Sequence, residues 1–187
     1  MKTKQDTREL LLDSAFKTFY KQGYQGANIA TLLEEVGINK GSMYHFFKSK
    51  KALGLSVIEE RIKKNLLLKY EAILVEENCL EHLFETLKDA PNTLLYGCPL
   101  NKMSQEMLYI DEDFKQTLSQ VYRLFEEIVA KILDKAVLQK QISSCDSKST
   151  ARLIIATYEG ALMVYHLSQD VADYHDSLEL LQQQIKV

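Results

Sequence analysis

The sequence contains few residues that interrupt or cross-link a chain. Among its 187 residues there are two prolines, seven glycines, three cysteines and no tryptophan. So few prolines and glycines argue against a linker-rich or disordered chain, and 46% hydrophobic residues are typical of a folded protein. The three cysteines stand at wide and irregular spacing, which favours neither a disulfide framework nor a paired zinc motif. We therefore expect a folded protein with reduced thiols.

Long hydrophobic runs and catalytic motifs are also missing. No stretch approaches the roughly 20 apolar residues that span a bilayer, and the polar start MKTKQDTREL is unlike a secretory signal, so we expect a cytoplasmic protein. No nucleophile elbow, phosphate loop, Ser-His-Asp order or metal signature is present, so we predict neither an enzyme nor a bound cofactor. Cys79 and His82 have the spacing of zinc ligands on a helix, but no second pair accompanies them.

Charge is distributed unevenly along the chain. The formal net charge is −3, but residues 1–64 carry twelve Lys or Arg against seven Asp or Glu, a net charge of +5. Residues 65–187 carry eleven against nineteen, a net charge of −8. Because lysine and arginine neutralise phosphates, DNA would be attracted to the first third and repelled by the remainder. The change of sign predicts a functional boundary near residue 64.

Apolar residues recur at helical spacing almost throughout the sequence. Asn28, Asn39 and Ser49 are predicted to cap the second, third and fourth helices, and Gly37 is predicted to end the second. From Ser49 the helical pattern continues without a breaker to about residue 75. No strand-like alternation of useful length appears, so the fold class is predicted to be all-α.

The second and third predicted helices, joined by EVGIN, have the form of a helix-turn-helix. In that motif the second helix enters the major groove of DNA. Met43, Phe46 and Phe47 would hold this helix to the core, which directs its polar face outward. Lysines directly after it would contact phosphates without reading sequence. The residues predicted to contact DNA are Asn28, Lys40, Gly41, Ser42, Tyr44, His45, Lys48 and Lys50.

The same motif has a second interpretation. Glycine-containing helix-turn-helix geometry also occurs in proteins that never touch DNA, and a lysine run is usually a solvated surface. The protein would then be a helical adaptor that uses the motif to bind a protein partner. The local charge inversion, the polar outward face and the lysines that follow the helix favour DNA.

The segment GYQGANIATLLEEVGINKGSMYHFFKSKKAL resembles the DNA-binding signature of TetR-type transcriptional repressors, over about residues 7–55. The resemblance implies a helix-turn-helix DNA-binding domain of three helices at residues 1–48. It implies an effector-binding and dimerisation domain at residues 49–187, with the helix at about residues 49–75 as connector. The implied function is a ligand-responsive repressor that binds a palindromic operator as a homodimer, with a small-molecule effector that the sequence does not identify.

The last third of the sequence is compatible with such a dimer. The stretch TARLIIATYEGALMVYHL carries apolar or small residues on more faces than a monomer core requires. Gly160 and Ala161 permit close approach of a second helix. A two-fold dimer would present two recognition helices to a palindromic site. The alternative is a core helix buried within a monomer.

The stretch YGCPLNKMSQEM resembles an effector-domain segment in a subgroup of these regulators, whose cysteine sometimes senses electrophiles or oxidants. Sensing requires a thiolate, which Lys102 and a helix beginning near Asn101 would favour at Cys98. The alternative is a small, unreactive core cysteine. Aromatic residues and methionines could likewise line an apolar cavity or simply form core. The predicted effector-pocket residues are Cys98, Met103, Met107, Tyr122, Phe125, Tyr158 and His166.

Overall fold

The structure is a computed structural model that describes residues 4–89 and 91–186. These residues form helices and no strand, which confirms the predicted all-α fold class. A π-helical segment at Ile58–Ile62 and a 3-10 helix at Ala72–Val75 accompany the α-helices. The α-helices are α1 (Lys4–Gln22), α2 (Ile29–Val36), α3 (Lys40–Phe46), α4 (Lys50–Val57), α5 (Lys63–Glu71), α6 (Cys79–Lys88), α7 (Pro91–Tyr96), α8 (Pro99–Met107), α9 (Glu112–Leu138), α10 (Ser147–Ser168) and α11 (Val171–Ile185).

The chain forms two compact units, neither of which is continuous in sequence. Of the described residues, the first unit contains 4–64 and 99–121, and the second contains 65–89, 91–98 and 122–186. This grouping differs from a division at residues 48 and 49, because α4 and α8 both pack against α1 within the first unit. The division into a DNA-binding and an effector-binding domain concerns function and stays a prediction.

Side-chain caps begin the short helices of the first unit, as predicted. Asn28 Oδ1 accepts a hydrogen bond from the Ala30 amide at 2.8 Å, and Asn39 Oδ1 accepts one from the Ser42 amide at 2.8 Å. Ser49 Oγ caps α4 in the same way. These oxygens satisfy amides at the helix starts that have no partner within the helix.

Apolar side chains from these helices form the core of the first unit. Helix α1 contributes residues one turn apart, which places them on one face. Each such side chain contributes about 1.5–3 kcal/mol to folding when it is fully buried. The buried residues of the four N-terminal helices and the turns between them include Leu11, Leu12, Ala15, Phe19, Leu32, Leu33, Met43, Phe47, Leu53 and Val57.

The stretch after Ser49 is helical to Val75, as predicted, but its winding changes at the π-helical segment Ile58–Ile62. Three ion pairs join this segment to α1, and one of them links Arg61 to Glu9. Arg61 Nε donates to Asp13 Oδ1 at 2.6 Å, and Arg8 Nη1 donates to Glu60 Oε2 at 2.8 Å. The hydrogen bond from Arg8 holds the pKa of Glu60 below its ordinary value.

The second unit is built around α10 and α11, with α6 packed against α11. Asp146 caps α10 and Asp170 caps α11, each by accepting hydrogen bonds from amides of the first turn. The buried Tyr174 hydroxyl donates to the Leu87 carbonyl oxygen at 2.5 Å. In residues 4–89 and 91–186, no helix has both the length and the apolarity to cross a membrane.

Candidate DNA-binding site

A three-residue turn joins α2 to α3 and fixes the start of the second helix. Gly37 takes a left-handed conformation with φ of 74°, and its amide donates to the Glu34 carbonyl oxygen at 3.0 Å. The Ile38 amide donates to the Leu33 carbonyl oxygen at 3.0 Å, which closes the end of α2. Asn39 then caps α3. Hydrogen bonds therefore fix both ends of the turn.

One face of α3 is anchored and the opposite face is exposed. Met43 is 1% exposed and Phe47, directly after the helix, is 3% exposed, while Phe46 is half-buried. Tyr44 is 42% exposed. Two of the three predicted anchors are therefore buried. Of the residues predicted to contact DNA, those exposed are Asn28, Lys40, Gly41, Tyr44, His45 and Lys48, and those half-buried are Ser42 and Lys50.

Lys50 makes hydrogen bonds within its own chain. Its Nζ donates to the Ala27 carbonyl oxygen at 2.8 Å and to the Gln25 carbonyl oxygen at 3.3 Å. The ammonium also lies 4.8 Å from the centre of the Tyr24 ring. Burial lowers the pKa of Lys50, although the negative charge of Glu106 acts in the opposite direction. Since an ammonium has three hydrogens, two carbonyls leave one for another acceptor.

Lys51 is also engaged, through two aspartates. Its Nζ lies 2.7 Å from Asp111 Oδ2 and 2.6 Å from Asp113 Oδ2. Hydrogen bonds to Asp111 and then to Asp113 raise the pKa of Lys51, and the same contact lowers the pKa of Asp111. Lys40 and Lys48 are exposed. The lysines of this segment therefore differ in how accessible they are to a polyanion.

The predicted effector-pocket residues do not all lie in one unit. Met103 and Met107 are buried on α8 in the first unit. Met107 Sδ there accepts a hydrogen bond from Gln25 Nε2 at 3.5 Å. The five residues that lie in the second unit are Cys98, Tyr122, Phe125, Tyr158 and His166.

An aromatic cluster occupies the core of the second unit. The rings of Tyr70 and Phe125 lie 4.7 Å apart, and Tyr158 is 3% exposed. Burial raises the pKa of Tyr70 and of Tyr158 well above the ordinary value, so both hydroxyls stay protonated. The sequence pattern does not single out Tyr70, although its spacing of one turn from the apolar Leu66 is a signal for burial.

One ring nitrogen of His166 is buried and makes no hydrogen bond to the described residues. Its Nδ1 lies 2.7 Å from the Leu162 carbonyl oxygen, and because a carbonyl oxygen only accepts, Nδ1 donates. Its Nε2 is buried and bonds to no group in the part of the chain that the structure describes. In a neutral imidazole this nitrogen would be an acceptor for a hydroxyl or amine hydrogen.

Cys79 and His82 have other partners. The buried Cys79 sulfur lies 3.5 Å from the Ile132 carbonyl oxygen and 3.4 Å from Gln139 Oε1, while His82 Nδ1 lies 3.7 Å from Glu76 Oε2. Burial raises the pKa of the Cys79 thiol, which disfavours the thiolate that metals bind. Over residues 4–89 and 91–186, no three His, Cys, Asp or Glu side chains are grouped as metal ligands.

Family models match both parts of the chain. Residues 11–57 match the bacterial regulatory proteins of the tetR family, and this match includes the helix-turn-helix. Residues 75–176 match the C-terminal domain of LmrA/YxaF-like transcriptional regulators.

Individual relatives agree with these models. The chain is 31% identical over 185 residues to an HTH-type transcriptional regulator in the lacX 3' region of Lactococcus lactis subsp. lactis, covering 94% of this chain and 91% of the relative. It is 24% identical over 183 residues to the HTH-type transcriptional repressor NemR of Escherichia coli strain K12, covering 94% and 92%. The crystal structure of reduced E. coli NemR has the same fold, with a TM-score of 0.84 at 22% identity over 95% and 96% of the chains. The chain therefore belongs to the TetR family of bacterial helix-turn-helix transcriptional regulators, which are not enzymes.

Proposed function

We propose that this regulator is a repressor that binds a palindromic DNA site as a homodimer and releases it when a small molecule binds the second unit. The observation that carries the proposal is the outward face of α3, which presents Tyr44 and His45 opposite the buried Met43. A helix presented in this way fits the major groove, with its N-terminal residues at the base edges. Those residues are Lys40, Gly41 and Ser42.

Contacts to phosphates would position α3 in the groove without specifying sequence. Asn28 and Lys48 are exposed beside the helix-turn-helix and are suited to this role. Lys50 can reach a phosphate only with the hydrogen that its two carbonyl partners leave. We therefore assign a larger share of the phosphate contacts to Lys48 than to Lys50.

An uncovered apolar stripe on α10 supports a homodimer. Leu153 is 53% exposed, Met163 58% and Leu167 75%, although all three are apolar. Their spacing, with small exposed residues between them, places them along one face of the helix. Contiguous exposed apolar surface of this kind typically marks an interface. The residues of this α10 stripe are Leu153, Ala156, Gly160, Met163, Val164 and Leu167.

Gly160 adds a second argument for a partner on the α10 stripe. A Cβ at this position would meet no atom within 4 Å, so the described chain itself has no steric need for glycine there. Glycine inside a helix is less favourable than alanine by roughly 0.5–1 kcal/mol. Close approach of the same helix from a second copy would account for it. A two-fold axis at the stripe would also pair two α3 helices.

The effector would bind among the aromatic side chains of the second unit. Tyr70, Phe125 and Tyr158 supply apolar ring surface together with neutral hydroxyls. His166 supplies the buried nitrogen that has no partner among the described residues. This combination suits an uncharged, largely apolar molecule that carries a hydroxyl or amine group.

Selection of DNA fragments from the source genome by the purified protein tests the DNA-binding proposal. We expect enrichment of a few fragments that share an inverted repeat, here termed the operator, with an affinity that falls steeply as salt rises. Tyr44→Ala should weaken operator binding, whereas Tyr109→Ala, at a 96% exposed tyrosine outside the helix-turn-helix, should not. Equal binding of operator and random DNA by the wild-type protein would refute the proposal.

Small molecules that release the operator from the wild-type protein test the effector site. His166→Phe should lose about ten-fold in affinity for a hydroxyl- or amine-bearing effector, because a buried hydrogen bond is lost. His175→Phe makes the same change at a half-buried histidine on α11 and is the control. If the wild type, His166→Phe and His175→Phe all released the operator at the same effector concentration, His166 would not belong to the effector site.

A further inference from the structure

Glu106, on α8, binds the turn that precedes the helix-turn-helix. Its Oε1 accepts a hydrogen bond from the Tyr24 amide at 3.1 Å, and its Oε2 accepts one from the Gln25 amide at 2.8 Å. One carboxylate therefore holds two consecutive backbone N–H groups. All three residues belong to the first unit.

The conformation of the turn makes these amides available. Helix α1 ends with the Gly23 amide bonded to the Phe19 carbonyl oxygen, and α2 begins only at Ile29. Gly23 has a φ of 81°, which is left-handed, and a Cβ there would stand 2.6 Å from Glu106 Oε1. Successive N–H groups after such a residue form a concave anion site. Glycine at position 23 thus permits both the turn and the approach of the carboxylate.

A cation holds the carbonyl groups of the same turn. Lys50 Nζ donates to the Gln25 and Ala27 carbonyl oxygens, and it lies over the Tyr24 ring. The turn at residues 24–27 is therefore held by a carboxylate through its N–H groups and by an ammonium through its carbonyls. Hydrogen bonds to charged groups are about twice as strong as neutral ones.

Helix α8 is itself fixed to α1, so that Glu106 is held in place. Lys102 Nζ donates to the Tyr20 carbonyl oxygen at 2.9 Å, near the end of α1. Gln25 Nε2 donates to Met107 Sδ. The turn ends at Asn28, whose side chain caps α2. The position of the turn therefore determines where α2 begins, and the placement of α2 determines that of α3, which follows it after three residues.

We propose that Glu106 is a positioning residue for DNA binding, whose carboxylate fixes the turn at residues 24–27 and through it the placement of α2 and α3. The inference rests on the proposed DNA-binding function. Helix α8 begins at the residue after Cys98, where the chain passes from the second unit to the first. The binding geometry of the helix-turn-helix therefore depends on a helix whose Glu106 is 81 residues from Gln25 in sequence.

The direction in which DNA affinity changes distinguishes a positioning role of Glu106 from an effect of its negative charge. Removing a carboxylate makes the protein less negative, which by itself would leave DNA binding unchanged or tighter. Loss of the hydrogen bonds that fix the turn would make binding weaker. Glu106→Gln removes the charge and replaces one accepting oxygen with an NH2 group, which cannot accept a hydrogen bond from a backbone N–H. Glu106→Asp keeps the charge but shortens the side chain by one methylene group.

Operator affinity of the full-length protein is the main measurement. We expect Glu106→Gln and Glu106→Asp to weaken operator binding about ten-fold, with an unchanged salt dependence because no phosphate contact is removed. Glu112→Gln removes a charge from the exposed start of α9, in the same unit, and should leave the affinity unchanged or slightly tighter. Operator binding by Glu106→Gln and Glu106→Asp that equals or exceeds that of the wild type would overturn the inference.

Amide hydrogen exchange supplies a readout that does not depend on DNA. In Glu106→Gln the Tyr24 amide should exchange about ten-fold faster, while the Leu33 amide inside α2 should exchange at the wild-type rate. Unchanged exchange at Tyr24 would overturn the inference even if DNA binding fell. If the wild-type protein bound operator no better than random DNA, the proposed function and the positioning role would both fail.

Discussion

Replacing Met163 with glutamate should dissociate the proposed homodimer. Met163 is 58% exposed in the single chain and lies within the α10 stripe. Full burial of a methionine side chain contributes about 1.5–3 kcal/mol, so covering its exposed part contributes about 1–1.7 kcal/mol in each copy. Two symmetry-related copies give about 2–3.4 kcal/mol, which raises the dissociation constant about 30- to 270-fold. Desolvation of two facing carboxylates would weaken the dimer further.

Sedimentation velocity from nanomolar to micromolar concentration measures this effect. Leu68→Glu is the matched control, because Leu68 is 65% exposed on α5 and lies outside the α10 stripe. We expect a range of concentrations at which the wild type and Leu68→Glu are dimers but Met163→Glu is a monomer. The helix content of Met163→Glu should equal that of the wild type. A dissociation constant unaffected by Met163→Glu, or a wild type that is monomeric at every concentration, would refute the reasoning.

Gly160→Ala should have opposite effects on the monomer and on the dimer. Alanine stabilises a helix interior by roughly 0.5–1 kcal/mol over glycine, and the added Cβ meets no atom of the described chain within 4 Å. At a concentration where the protein is monomeric, its melting temperature should therefore rise. The dimer dissociation constant should rise as well, because the methyl groups separate the two α10 helices. An unchanged dissociation constant would mean that no partner helix approaches Gly160.

Three further predictions concern the first unit. Lys48→Gln should weaken binding to operator and to random DNA alike, and it should make the slope of log affinity against log salt shallower by about one. Lys51→Gln should change that slope little. Fluorescence anisotropy titrations at several salt concentrations measure both slopes. Asn39→Ala should lower the free energy of unfolding by about 1 kcal/mol, measured in urea, because α3 loses its cap. The pKa of Glu60 is lower in the folded state, so its ion pair with Arg8 stabilises the fold above the ordinary pKa of 4.5, and this stabilisation is lost as the pH falls through the lowered value. Glu60→Gln should therefore reduce stability at pH 7 by up to about 1 kcal/mol, and this loss should shrink as the pH falls below 4.5; a loss that stays constant down to acid unfolding would contradict the assignment.

Short-range signals predicted the helix-turn-helix correctly. Asn28, Asn39 and Ser49 cap helices at the predicted positions, and Gly37 adopts the left-handed conformation that ends α2. Each of these depends on atoms within about one helical turn. The residue types alone therefore carried the information, and the outward face of α3 followed from the burial of Met43.

Contacts distant in sequence were not predictable in this way. Periodicity shows that α8 is amphipathic, but it does not show which helix its apolar face covers. Met103 and Met107, which we predicted as effector-pocket residues together with five residues of the second unit, are buried in the first unit. The partnership of Glu106 with the Tyr24 amide spans 82 residues and depends on how α8 packs against α1. The signal available beforehand was an acidic residue between two buried methionines, Met103 and Met107, on a short helix.

The basic cluster around α3 contains two kinds of lysine, and they have different physical roles. Lys40 and Lys48 are exposed and offer their charge to a polyanion. Lys51 is neutralised by the acidic start of α9, so the net charge of the N-terminal segment overstates what DNA would meet. Lys50 holds the carbonyls of the turn whose amides Glu106 holds. We therefore expect attraction to DNA and placement of α3 to depend on different lysines of one short segment, which substitutions at Lys48 and Lys50 should separate.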